Sequence, residues 1–181
     1  MPTNSWLHPD SSTRYGTVSR LFHWVMAICF VFVFSAALAH YFVNKSALDE
    51  FLWPAHKPVG TLLLTLVPLR ALWAVLHRGR RPPHVNQAAH WGHRVLYLLM
   101  FTVPTIALIR QYGSGRAFSP FGIPLMPGRD NDKIEWMTKL GSLFHGALGW
   151  VLLALVAGHI TMALWHRYHR SDIDVLPRMV G

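Results

Sequence analysis

The apolar residues divide the chain into four long hydrophobic segments separated by polar stretches. A helix that crosses a membrane needs about 20 mostly apolar residues. Segments of about this length cover residues 21–43, 59–76, 91–110 and 140–166. The third segment carries Pro104 and has the weakest pattern of the four. The pattern predicts an all-α fold, an integral membrane four-helix bundle that forms a single transmembrane domain over residues 1–181.

The composition supports a membrane environment. Apolar residues make up 52% of the chain and charged residues only 14%, whereas a typical soluble domain has about 25% charged residues. The net charge of +9 would suit a nucleic-acid partner. The apolar content instead favours membrane lipid as the surroundings, with no nucleic acid. A single cysteine, Cys29, excludes a disulfide framework and a cysteine-based metal centre.

The charged residues suggest an orientation in the membrane. All eight acidic residues fall outside the four segments, and four crossings put both termini on one side. If that side is the cytoplasm, it holds nine Lys and Arg residues and the other side holds seven, which favours cytoplasmic termini. The outer set is Lys45, Lys57, Arg110, Arg116, Arg129, Lys133 and Lys139.

Four histidines fall at two depths in this arrangement. His145 and His159 are 14 residues apart, which corresponds to about 21 Å along a helix and nearly the same face. His56 lies at the depth of His145, and His23 lies at the depth of His159. Imidazole is an axial ligand of haem iron, and facing helices of a bundle can supply both ligands. The pattern predicts two haems stacked across the bilayer; ordinary helix-end histidines at the membrane interface are the alternative.

Small residues and one arginine fit the same interpretation. A haem needs room between helices, and glycines next to the histidines provide it: Gly60, Gly146, Gly149 and Gly158. Arg70 follows His56 by 14 residues, which places it near the depth of His23 and His159. A buried guanidinium needs an anionic partner, and the four segments contain no acid. Haem propionates would meet this need; a polar crevice with lipid headgroups is the alternative.

Five sequence motifs resemble the bacterial cytochrome b561 family of four-helix dihaem membrane proteins, over about residues 14–178. The motifs are RLFHW at 20–24, HKPVG at 56–60, LVPLRALW around Arg70, HWGHRVLYLLM at 90–100, and FHGALGWVLLALVAGHITMALWHRYH at 144–169. The resemblance implies two haem b groups, one held by His23 and His159 and the other by His56 and His145. It also implies a location in the bacterial cytoplasmic (inner) membrane.

The resemblance further implies electron transfer between a carrier on one side of the membrane and ubiquinone as substrate. Some members of the family look like superoxide oxidases, and the basic outer loops would attract an anion such as superoxide. We therefore expect an oxidoreductase that takes electrons from superoxide or another small electron donor. His93 and His166 are candidates for hydrogen bonding to a quinone, and no catalytic residue can be assigned.

Other interpretations stay open at this point. The chain could instead be the haem b anchor subunit of a multi-subunit dehydrogenase or hydrogenase. It could also be a histidine-based metal transporter without haem, although the absence of acids from the segments speaks against that. A homo-oligomer is also compatible with the sequence. Five of the remaining histidines are expected at the surface or the membrane interface: His8, His40, His77, His84 and His169.

Overall fold

The computed structural model describes residues 8–129, 132–169 and 174–180. Four long helices dominate this part of the chain: α1 (Thr17–Phe42), α2 (Ala47–Leu76), α3 (Gln87–Gly113) and α4 (Glu135–His169). A short helix, α5 (Pro177–Val180), follows near the C-terminus. Within the described ranges, the only β-pairing is an isolated bridge between Phe118 and Met126. The all-α prediction is confirmed.

All four long helices are long enough and apolar enough to cross a membrane. Their outer surfaces expose large apolar side chains such as Ile28, Val31, Leu98 and Ile160, each at least half exposed. A surface of this kind is unfavourable in water and suits contact with lipid. The predicted four-helix membrane bundle is confirmed, and the chain is a multi-pass membrane protein.

The helices extend beyond the apolar segments because their polar ends are also helical. The α2 helix begins at Ala47, well before residue 59. Ser46 caps this start of the helix, because its side chain accepts a hydrogen bond from the backbone N–H of Asp49 at 3.2 Å. Asp49 and Glu50 in its first turn favour the positive end of the helix dipole. This early start places His56 inside a helix.

The helices pack in chain order: α1 on α2, α2 on α3, and α3 on α4, whereas α1 and α4 make no comparably close contact. The core lies in the middle of the bundle and consists of Met26, Phe30, Val33, Leu63, Val67, Met100, Val103 and Leu152. Leu152 stands on α4 midway in sequence between His145 and His159. The core therefore separates two levels of the bundle, and α4 makes no comparably close contact with either α1 or α2, which leaves room at both levels.

The two chain ends meet at one end of the bundle, here called the termini end. The side chain of Asp10 is buried and accepts hydrogen bonds from Gly16 N at 2.6 Å and Ser19 Oγ at 2.8 Å. Arg20 and Trp24 on α1 donate to the backbone carbonyls of Val180 and Met179 in α5. The opposite end carries the 43–46 turn and the 114–134 loop and is called the loop end.

Candidate functional site

His56 on α2 and His145 on α4 form the first pair, near the loop end. Their ring centres are 6.3 Å apart and the ring planes are nearly perpendicular, at 89°. A metal bonded to two imidazole nitrogens at about 2 Å each, with ring radii of about 1.1 Å, separates the ring centres by about 6 Å. The spacing of the first pair therefore fits one iron between the two rings.

Backbone hydrogen bonds orient both rings of the first pair. Nδ1 of His56 lies 3.1 Å from the carbonyl oxygen of Val33, and Nδ1 of His145 lies 3.0 Å from that of Val103. Because a carbonyl can only accept, each Nδ1 carries the proton and donates it. Each Nε2 is then free to bind a metal, as in most histidine-ligated metal sites.

A cavity of about 380 Å³ lies beside the first pair and reaches the side chains of all four long helices. Its walls are mainly apolar. Gly60 on α2 and both Gly146 and Gly149 on α4 border it, and a Cβ atom added at any of them would meet no other atom within 4 Å. The glycines thus face open space rather than a packed neighbour. The volume and the lining are typical of a cofactor site and fit a flat macrocycle such as haem.

A second, smaller cavity of about 130 Å³ adjoins the same two histidines on the side of α2 and α3. It has a basic lining, which includes Lys57, Arg110 and Arg116. Among the residues that the structure describes, none of those lining it is acidic. The first pair therefore has an apolar space on one side and a positively charged space on the other.

His23 on α1 and His159 on α4 form the second pair, closer to the termini end. Their ring centres are 6.4 Å apart, with an angle of 71° between the planes. Gly158, next to His159, also faces open space. The two pairs thus have nearly equal spacing, and both span the gap between α4 and a helix on the other side of the bundle. The ring spacing of the second pair fits an iron as well as that of the first pair does.

Arg70 lies against the second pair. Its Nη2 is 3.2 Å from Nδ1 of His23, its Nη1 is 4.0 Å from the sulfur of Met26, and its guanidinium carbon is 5.6 Å from the ring centre of Tyr97. Its Nε is buried and has no hydrogen-bond partner among the described residues. Within the described part of the chain, no carboxylate pairs with Arg70. The guanidinium is therefore a largely buried cation without an anionic partner among the described residues, and a buried cation is stabilised by such a partner.

The two candidate quinone residues lie in different surroundings. The ring centres of His93 on α3 and His159 are 5.4 Å apart, and those of His84 and His93 are 5.6 Å apart. His166 lies further along α4, and its buried Nδ1 has no hydrogen-bond partner among the described residues. The structure brings His93 to the second pair, and it records no ring contact between His166 and that pair.

Sequence reasoning missed an aromatic stack beside the first pair. His40, expected at the surface, lies flat on Trp53 with ring centres 3.6 Å apart and borders the larger cavity. Its Nδ1 is 3.0 Å from Oδ1 of Asp49. Trp53 precedes His56 by three residues, so the two share a helix face. That spacing was the available signal for Trp53, whereas nothing in the sequence pointed to His40.

A four-helix membrane bundle with facing histidine pairs between its helices has the architecture of a membrane haem protein. The family model for prokaryotic cytochrome b561 matches residues 14–181. The chain therefore belongs to the prokaryotic cytochrome b561 family. Membership implies that it binds haem b and takes part in electron transport.

Two curated relatives are similar over nearly their full length. "Cytochrome b561 homolog 2" of Escherichia coli (strain K12) is 34% identical over 180 residues, which cover 95% of this chain and 94% of that protein. "Probable superoxide oxidase CybB" of Yersinia pestis is 25% identical over 173 residues, which cover 92% of this chain and 96% of that protein.

Proposed function

We propose that the protein is a dihaem cytochrome b that takes electrons from superoxide at the loop end and delivers them to ubiquinone in the membrane. The observation that carries this proposal is the presence of two facing histidine pairs at two depths of one bundle. His145 and His159 are 14 residues apart on α4, which is about 21 Å along a helix. Two electron-transfer centres at that spacing would form a path across the membrane.

Each histidine has a definite role in this proposal. His56 and His145 hold one haem b and His23 and His159 hold the other, and bound haem supplies a centre for one-electron transfer. Two protein ligands leave the iron no open position, which favours electron transfer over chemistry on bound oxygen. The carbonyls of Val33 and Val103 orient the first pair, and Arg70 meets the propionates of the haem at the second pair.

Superoxide as the donor is supported by charge and by one relative. Lys57, Arg110 and Arg116 lie around the smaller cavity next to the first pair, and a basic cleft concentrates anions. The relative from Yersinia pestis is named a probable superoxide oxidase. Two superoxide ions would lose one electron each and become dioxygen, while ubiquinone would take both electrons and two protons.

The termini end would face the cytoplasm of a bacterial inner membrane, as the distribution of Lys and Arg favours. His93, next to His159, would hydrogen-bond a quinone carbonyl near the second pair, and His166 is a second candidate. Under this arrangement the donor and the acceptor meet the protein at different ends.

The test is an optical spectrum of the purified protein with haem measured per chain, followed by an assay of quinone reduction in a superoxide-generating system. We expect two haems per chain and ubiquinol formation that superoxide dismutase abolishes. A chain without haem, or with one haem, would overturn the dihaem proposal. A dihaem chain that is inactive alone but purifies with a soluble redox subunit would instead be the anchor subunit of a larger complex.

A further inference from the structure

The space around the first pair has two lobes that differ in chemistry. The larger lobe is apolar, with Phe30, Phe34 and Leu152 among its lining residues. The smaller lobe is basic, with Lys57, Arg110 and Arg116. The residues that border both lobes are Trp53, His56, Gly60, Pro104 and His145. A flat ligand whose centre lies between the two rings extends into both lobes.

Haem b has a matching asymmetry, because its two carboxylates lie on one edge and the rest of its rim is apolar. A carboxylate placed unpaired in an apolar lobe loses its hydration without compensation, which costs several kcal/mol. A lobe with three cations and no acid among its described lining residues offers charge-assisted hydrogen bonds instead. The electrostatics therefore favour one orientation of the carboxylate edge.

Contacts within the protein hold the cations of the smaller lobe in position. Lys57 Nζ donates a hydrogen bond to Gln111 Oε1 at 3.1 Å, and Gln111 Nε2 donates to the carbonyl of Arg116 at 3.1 Å. The side chain of Arg110 lies along the backbone of Gly141 on α4, where any added Cβ would overlap it. Gln111 is buried, so this network links α2, the end of α3 and the following loop.

We propose that Lys57, Arg110 and Arg116 bind the two carboxylates of the haem held by His56 and His145. This inference rests on the part of the proposed function that puts a haem at the first pair. Three cations against two carboxylates leave one positive charge in excess. The same lobe can therefore anchor the haem and still attract an anionic electron donor at the loop end.

The test uses the holoprotein from cells fed 5-aminolevulinate with carbon-13 in its carboxyl carbon, which labels the haem only in its two carboxyl groups. Infrared difference spectra between the oxidised and reduced protein then report those groups through bands that move with the label. The variants are Lys57→Gln, Arg110→Gln and Arg116→Gln. The control is Lys139→Gln, which removes the same charge from an exposed lysine that pairs with Glu135 on α4 and does not line the lobe.

We expect each of the three variants to shift label-sensitive carboxylate bands that the control leaves unchanged. An unchanged set of bands in all three variants, with wild-type haem content, would overturn the proposal. An equal shift in the Lys139→Gln control would also overturn it, because it would indicate a general field effect rather than contact.

If a variant loses haem, the rate of haem transfer from the protein to excess apomyoglobin is measured as well. Loss of one charge-assisted contact should speed transfer from the first pair about tenfold, and the conservative variants Lys57→Arg and Arg116→Lys should restore slow transfer. Equal loss in the conservative variants would assign these residues to packing and overturn the proposal. A wild-type protein that shows the expected bands but reduces no quinone with superoxide would defeat the proposed donor and leave this assignment intact.

Discussion

The guanidinium of Arg70 lies against the ring of His23, with Nη2 3.2 Å from Nδ1. An arginine can only donate, so Nδ1 of His23 is the acceptor in this contact and the ring proton lies on Nε2. Binding iron through Nε2 would require that proton to move to Nδ1 and Arg70 to turn to another acceptor, such as a haem propionate. At the first pair the direction is reversed, because the Nδ1 atoms of His56 and His145 donate to backbone carbonyls. Hydrogen bonding and nearby charge both tune the potential of a ligated iron. We therefore expect two haems with separate reduction potentials.

The first prediction concerns the charge of Arg70. Reduction of the iron adds a negative charge, which a nearby cation stabilises, so Arg70→Gln should lower the midpoint potential of one haem by about 60 mV, a tenfold change for one electron. An optical redox titration measures this. Arg94→Gln serves as the control, because Arg94 is exposed at the same end of the bundle, over the ring of Trp91. Equal shifts in both variants would contradict a specific role for Arg70.

Much of this arrangement follows from one-dimensional patterns. Hydropathy locates the four crossings, and the 14-residue spacing of His145 and His159 converts to depth because the rise per residue of a helix is constant. The side-chain contacts between neighbouring helices cannot be predicted from such patterns. The stack of His40 on Trp53 and the hydrogen bond of Lys57 to Gln111 depend on the order and rotation of the helices in the bundle, which no local pattern encodes.

The second prediction concerns the independence of the two pairs. His56→Ala or His145→Ala should remove the haem at the loop end, and His23→Ala or His159→Ala should remove the other. The reason is that each pair spans its own gap, with the buried core between them. Low-temperature optical spectra with haem quantified per chain would separate the two variants of the first pair from the two variants of the second pair. Identical spectra for His56→Ala and His23→Ala would contradict the pairing.

The third prediction uses the open space beside Gly149. A Cβ there would meet no other atom within 4 Å, so Gly149→Leu should leave the helices folded and fill part of the cavity next to His145. We expect a reduced haem content at the first pair and a normal haem at the second. Ala154→Leu is the matched control, since Ala154 is an exposed residue on the same helix. A normal content of both haems in Gly149→Leu would place the cofactor elsewhere.

The fourth prediction concerns pH and His84, in the loop before α3. Partial burial, together with the charges of His90, Arg81 and Arg94, lowers the pKa of His84 below its usual value of 6.5; His93 also faces it. The unfolded chain therefore binds a proton at His84 at higher pH than the folded chain does. The free energy of unfolding is therefore unaffected by His84 above the pKa of the unfolded chain, and it decreases as the pH falls below about 6.5.

We expect the melting temperature of the detergent-solubilised protein to decrease between about pH 7.5 and about pH 5.5, and His84→Gln to reduce that decrease. The measurement is a set of thermal melts of both proteins across the range. Because the chain contains other histidines, the contribution of His84 is obtained from the difference in melting temperature between the two proteins at each pH. Parallel curves of melting temperature against pH for wild type and variant would show that His84 does not contribute to the pH dependence of stability.

The last prediction concerns the contacts of Asp10, which tie the N-terminal segment to the bundle. The side chain of Asp10 is almost fully buried and accepts hydrogen bonds from Gly16 N and Ser19 Oγ, and Arg81 Nε lies 3.5 Å from its Oδ2. Ser19 Oγ in turn accepts a hydrogen bond from Trp73 Nε1 at 3.0 Å. One carboxylate thus joins the start of α1 to the loop after α2.

Asp10→Ala would leave Arg81 as a partly buried cation without its carboxylate, together with unpaired donors at Gly16 and Ser19. Loss of a buried, charged hydrogen-bonding group of this kind costs about 3 kcal/mol. Glu135→Gln is the control, because Glu135 forms an exposed pair with Lys139, and such pairs contribute little. We expect a clear drop in melting temperature for Asp10→Ala and almost none for the control. A wild-type melting temperature in Asp10→Ala would mean that these contacts do not hold the termini end together.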